Sequence, residues 1–118
     1  MNVEPIFQNA TEWFGAPVRK NSYAGNAKSY LTWVYADERP AVYGDDADLY
    51  DLTEVALHWF SPVGSDTAGQ KKKMRRYLRD NGFTIQSTAD MVESDTGINH
   101  VIVYATIEGT VEEEFENG

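Results

Sequence analysis

The longest alternating run in the chain, residues 49–60, limits its fold more than any other feature. Thr53, Val55, Leu57 and Trp59 fall on one side of this run, and a mixture of polar and apolar residues falls on the other. Successive side chains of a β-strand point to opposite faces of a sheet. The run therefore predicts a strand with one packed face and one partly wet face, which is typical of antiparallel sheets.

Three further segments have the composition of strands. Residues 29–35 carry apolar or aromatic side chains on both faces, which predicts a strand covered on two sides. Residues 83–91 and 99–107 flank the turn signal Asp95-Thr96-Gly97 and predict a hairpin.

Two segments have helical spacing. Residues 3–14 predict a short N-terminal helix that Gly15 and Pro17 terminate. A second helix is predicted to begin at Thr67, which fits a capping box with Gln70, and to end at Asn81-Gly82. The predicted fold class is therefore α+β: a mostly antiparallel four-stranded sheet, with the short N-terminal helix and one basic amphipathic helix packed on one face.

The length of 118 residues predicts a single domain, which we place at residues 1–111. Residues 112–118 contain four Glu and predict an acidic C-terminal tail. The net charge of −9 argues against a general duplex-DNA binder, because such proteins need a cationic face. We expect no membrane span and no secretory signal, so the expected compartment is the cytoplasm of the cell that makes the protein.

The basic helix is the sharpest feature, since six of the ten cations lie between Lys71 and Arg79. Met74, Tyr77 and Leu78 predict its buried stripe. Three interpretations stay open for the cationic side: a solvated helix back, a contact with an acidic neighbour, or a phosphate site. The acidic neighbour would be the Asp45–Asp48 loop or the C-terminal Glu run of an identical subunit. The candidate partner interface comprises Lys71, Lys72, Arg75, Arg76, Arg79, Asp45, Asp46 and Asp48.

The chain offers no recognisable catalytic or cofactor chemistry. It has no Cys, which excludes thiol nucleophiles and cysteine-ligated metals. His58 and His100 lie in predicted strands, and we expect ordinary hydrogen bonds to satisfy them. The acidic loop does not fit an EF-hand frame, and no phosphate-binding glycine loop is complete. We therefore predict no enzyme, no catalytic residue, no metal and no cofactor.

Aromatic residues number fifteen, and eleven of them lie between Phe7 and Phe60. Large rigid side chains of this kind build both cores and protein–protein interfaces. A packed core and an assembly surface in this half of the chain both remain open.

The order of motifs resembles the tail completion (tail terminator) proteins of long-tailed bacteriophages and prophages. The likeness covers nearly the whole chain. The basic helix that ends in Asn81-Gly82-Phe83 also supports it. The runs that carry it are Ala16-Pro17-Val18, Tyr30-Leu31-Thr32-Trp33, Ala36-Asp37-Glu38, Ala41-Val42-Tyr43-Gly44-Asp45-Asp46, Val55-Ala56-Leu57-His58-Trp59-Phe60-Ser61-Pro62 and Gly97-Ile98-Asn99-His100-Val101-Ile102-Val103.

This resemblance implies a structural role in the virion. Such proteins form a ring, usually of six copies, that caps the tail tube and meets the neck of the head. The implied partners are further copies of the chain, the tail tube protein and a neck or head-completion protein, while DNA passes through the lumen without sequence-specific binding. The implied location is the tail–neck junction, after assembly in the host cytoplasm. Alternatives are a small acidic binding module or inhibitor, such as a DNA mimic, and another neck or head–tail connector protein.

Overall fold

The computed structural model describes residues 1–40, 50–93 and 97–110. Three helices and five strands occur in this part of the chain. The helices are α1 (Glu4–Phe7), α2 (Ala10–Phe14) and α3 (Thr67–Asp80), and the strands are β1 (Val18–Lys20), β2 (Tyr30–Pro40), β3 (Tyr50–Pro62), β4 (Thr84–Glu93) and β5 (Ile98–Thr110).

The strands form one mixed sheet in the order β1-β2-β3-β5-β4. β1 pairs with β2 in parallel, and every other neighbouring pair is antiparallel. β4 and β5 form the predicted hairpin. The longest strands, β3 and β5, lie at the centre and are in register from Pro62 opposite Ile98 to Tyr50 opposite Thr110.

The prediction of a mostly antiparallel four-stranded sheet is wrong, because the sheet has five strands and one parallel pair. The missed strand is β1, which places Val18 opposite Leu31 and Lys20 opposite Trp33. Three residues, two of them cations, show no alternation that a sequence pattern could reveal. This strand forms through pairing with a distant segment, and that pairing overrides its weak local preference.

The single N-terminal helix predicted over residues 3–14 is also wrong, because the segment forms two short helices separated at Gln8 and Asn9. Of the four apolar residues at helical spacing in this segment, Phe7, Ala10 and Phe14 are buried, whereas Trp13 is exposed. Gly15 ends α2 in the left-handed conformation at φ 71°.

All three helices pack on one face of the sheet. The core joins Val3, Phe7, Ala10 and Phe14 to Met74, Tyr77 and Leu78 of α3 over the buried side chains of the central strands. Those side chains are the predicted apolar face of β3 together with its neighbours Leu31, Trp33, Val101, Val103 and Ala105. The Tyr77 hydroxyl donates to the carbonyl of Ile6 and ties α3 to α1, and burial raises its pKa.

The caps of α3 differ from the prediction at one end only. Asp66, not Thr67, is the N-cap residue, and its side chain accepts a hydrogen bond from the Gly69 amide at 2.9 Å. At the other end Gly82 takes φ 92°, and the Phe83 amide donates to the Leu78 carbonyl, so the predicted stop at Asn81-Gly82 is confirmed.

The sheet extends past α3, and Met1 packs beside Thr53 and Gly109 at its outer end. α3 has 14 residues and spans ~21 Å, whereas β3 has 13 residues and spans ~43 Å. β4 also begins only at Thr84, opposite Thr106, so β5 runs beyond it toward Thr110. The outer ends of β2, β3 and β5 therefore form a three-stranded arm, in which residues 36–40 of β2 are exposed.

Candidate assembly interface

An exposed stripe of cations runs along α3. Lys72, Arg76 and Arg79 follow each other at spacings of four and three residues, so they lie above one another on the helix, and Lys73 lies beside them. All four are exposed, and Lys72, Lys73 and Arg76 line a surface depression of about 140 Å³. We call these four residues the cationic ridge.

Two of the five cations predicted for the interface lie outside this ridge. Lys71 points toward β4, where its Nζ lies 2.7 Å from the Asp90 carboxylate. Arg75 is half-buried, and its Nε is buried with no hydrogen-bond acceptor among the described residues. Lys71 therefore ties α3 to β4, and Arg75 is partly withdrawn from the surface. Lys73, which the prediction omitted, takes part in the exposed surface.

The far end of the arm is acidic. Asp37 of β2 lies directly opposite Glu54 of β3, and Glu54 lies opposite Thr106 of β5. Like charges directly opposite each other in an antiparallel pair are destabilising. Arg39, two residues from Asp37, forms an ion pair with it. We call the five acidic residues of this arm the acidic end: Asp37, Glu38, Asp51, Glu54 and Glu108.

The predicted acidic partners Asp45, Asp46 and Asp48 lie outside the described residues, as does the predicted tail at residues 112–118. The described chain stops at Pro40 and resumes at Tyr50 at this same end of the sheet, where Pro40 is opposite Asp51. Sequence reasoning missed the acidic end because its residues are scattered over three strands. Only the register of those strands, which no spacing in the sequence encodes, brings them together.

A surface notch of about 350 Å³ lies where β5 runs past the start of β4. Thr84 and Thr106 face each other across the two strands, and Gly82 adds the C-terminal end of α3. The lining is completed by Leu52, Ile107 and Glu108. The lining of the notch is thus mostly polar, and Leu52 and Ile107 add a smaller aliphatic part.

The second face of the sheet, which no helix of the described residues covers, carries a histidine pair; we call it the open face. The His58 Nδ1 and His100 Nε2 atoms lie 2.7 Å apart and share a hydrogen bond, as predicted for satisfied histidines. Burial lowers the pKa of both imidazoles. For His58 the charge of His100 lowers it further, whereas Glu93, 3.7 Å from His100 Nδ1, opposes the shift at His100.

Aromatic rings extend this pair across the open face. Tyr23 stacks on Tyr30 at 4.6 Å, Tyr30 on Phe60 at 5.0 Å, and Phe60 on His100 at 4.3 Å between ring centroids. Tyr30 and Phe60 in the middle of this row thus each contact neighbouring rings on both sides. Other aromatics, including Phe7 stacked on Trp33 at 4.6 Å, belong to the core.

Residues 1–40, 50–93 and 97–110 contain no group of three or more His, Asp or Glu side chains placed to hold a metal ion. None of the helices in these ranges has both the length and the apolar composition needed to cross a bilayer. No protein-family model matches the chain, and no curated protein matches it either.

Proposed function

We propose that this protein is a structural subunit of a long-tailed phage or prophage that assembles into a ring and caps the tail tube. The observation that carries this proposal is the separation of charge on a single subunit. The cationic ridge lies on α3, and the acidic end lies on a projecting arm of the sheet.

Such a distribution favours contacts between different surfaces of identical copies. A contact between two cationic ridges, or between two acidic ends, would bring like charges together. A contact between the ridge of one copy and the acidic end of the next brings opposite charges together. A contact between two different surfaces, repeated from copy to copy, generates a ring when the rotation closes. Six copies per ring is the number that the family resemblance implies.

A ring of this kind also suits the passage of DNA. Contacts that cover the cationic ridge remove its positive charge from the lumen, and the chain as a whole carries a net charge of −9. Phosphates bind where Lys and Arg neutralise them, so a lumen poor in exposed cations lets DNA slide. We propose the tail tube protein and a neck or head-completion protein as the other partners, at the tail–neck junction.

Interrupting the coding sequence in its own phage or prophage genome tests this function. We expect tubes of abnormal length and filled heads without tails in electron micrographs, with normal virions restored by the wild-type chain supplied in trans. Normal virions from the interrupted genome would refute the proposal and favour a small acidic binding module instead.

A further inference from the structure

We infer that the notch at the end of β5 is a binding site for an arginine side chain, namely Arg76 from the ridge of a neighbouring copy. This inference rests on the proposed function and specifies the subunit contact that would build the ring.

The lining of the notch has the chemistry that a guanidinium group needs. Leu52 and Ile107 offer aliphatic surface to the methylene stem of an arginine, which packs well along apolar side chains. Glu108 offers carboxylate oxygen atoms and Thr84 offers a hydroxyl, whereas the buried Thr106 hydroxyl already accepts a hydrogen bond from Gln86 Nε2. Charge-assisted hydrogen bonds to a carboxylate are stronger than neutral ones. Gly82 follows the C-terminus of α3, where the helix dipole favours a positive charge.

The strands around the notch increase its attraction for a cation. One cross-strand row runs in register from Asp37 through Glu54 and Thr106 to Thr84, so two carboxylates lie beside the lining hydroxyls. Arg39 pairs with Asp37 within the subunit, which leaves Glu54 as the carboxylate of this row that faces an incoming positive charge. The neighbouring row adds Glu108, directly opposite Leu52.

Arg76 is the ridge residue best placed to enter such a site. It lies at the centre of the ridge, with Lys72 one turn before it and Arg79 one turn after it. These flanking cations would face the remaining carboxylates of the acidic end when Arg76 occupies the notch. Lys71 is engaged by Asp90 within its own subunit and is less available.

Charge reversal on each side of the contact tests the inference. We expect Glu108→Lys and Arg76→Glu each to raise the protein concentration required for half-maximal assembly by at least about tenfold, because each places like charges together. Mass photometry over a concentration series measures this value, and circular dichroism checks that each variant stays folded. Matched controls with the same change in net charge are Glu12→Lys and Lys28→Glu, at exposed positions of α2 and of the segment before β2.

The double variant Arg76→Glu/Glu108→Lys restores opposite charges within the contact. We expect it to assemble within about threefold of the wild-type concentration, since the two substitutions are coupled if the residues meet. Equal effects of Glu108→Lys and Glu12→Lys, or a double variant as defective as either single variant, would overturn the inference. A wild-type chain that stays monomeric over the whole concentration series would overturn the inference as well. The gene interruption tests the proposed function independently of this contact.

Discussion

At the scale of single residues, the hydrogen bond between His58 and His100 makes the fold sensitive to pH. One ring donates and the other accepts, so two protonated rings cannot keep the bond. The pKa values of both are lowered from the ordinary value of 6.5 in the folded state. The unfolded chain therefore takes up protons at a higher pH than the folded chain. The folded state loses stability as the pH falls through the ordinary histidine pKa of 6.5.

We expect the free energy of unfolding to be lower at about pH 5.5 than at about pH 7.5, measured by urea denaturation. The double variant His58→Gln/His100→Gln controls for the carboxylates, because it keeps them and removes both imidazoles. Its change in stability over this interval should be smaller than that of the wild type. The same change in both proteins would show that the pair does not cause the effect.

Gly82 is a residue whose identity the backbone dictates. Residues with a Cβ adopt its φ of 92° only at an energetic cost. The space around Gly82 does not exclude a side chain, because an added Cβ would lie 3.5 Å from Ile107 Cδ1, an ordinary contact. We expect Gly82→Ala to lower the unfolding free energy by about 1 kcal/mol through the backbone alone. Gly15→Ala, at φ 71° with open space around it, is the comparison and should cost about the same. An unchanged stability in urea for Gly82→Ala would contradict this explanation.

At the scale of elements, the sequence predicts best those segments whose periodicity is uninterrupted. The sequence predicts β3 at residues 49–60, and the strand lies at Tyr50–Pro62. The buried stripe of α3 is the predicted Met74, Tyr77 and Leu78. The sequence predicts that β2 ends at residue 35, whereas the strand continues to Pro40. The extra residues are exposed, and three charged residues in succession, Asp37, Glu38 and Arg39, show no alternation that would mark a strand.

The N-cap of α3 shows how a neighbouring position can compete with a familiar motif. Thr67 and Gln70 match a capping box, yet Asp66 makes the cap, and a Cβ on Gly69 would lie only 2.3 Å from the Asp66 Oδ2 atom. The absence of a side chain at Gly69 is thus what admits the aspartate.

We expect Asp66→Ala to lower the unfolding free energy by about 1 kcal/mol, because it leaves the Gly69 amide without its acceptor. Asp66→Asn keeps an acceptor oxygen and should retain most of the stability, and Thr67→Ala should have little effect. Thermal or urea denaturation of the three variants measures this. A larger loss of unfolding free energy for Thr67→Ala than for Asp66→Ala would show that Thr67, and not Asp66, caps α3.

At the scale of the whole molecule, the sequence revealed the cationic side of α3 but not its counterpart. Consecutive turns of one helix keep Lys72, Arg76 and Arg79 together, so local spacing was sufficient to find them. Asp37, Glu54 and Glu108 come from three strands, and the bulge between Tyr35 and Asp37 shifts the register that aligns Asp37 with Glu54. The edge strand β1 was missed for the same reason, since its position depends on a distant partner.

The central claim is that identical copies associate through unlike surfaces into a closed ring. Electron cryomicroscopy of the assembled wild-type protein measures this arrangement directly. The account predicts rings of cyclic symmetry in which α3 of each copy faces the outer ends of β2, β3 and β5 of the next. Particles that are uniformly monomeric, or two-fold dimers joined through the same surface on both copies, would contradict it.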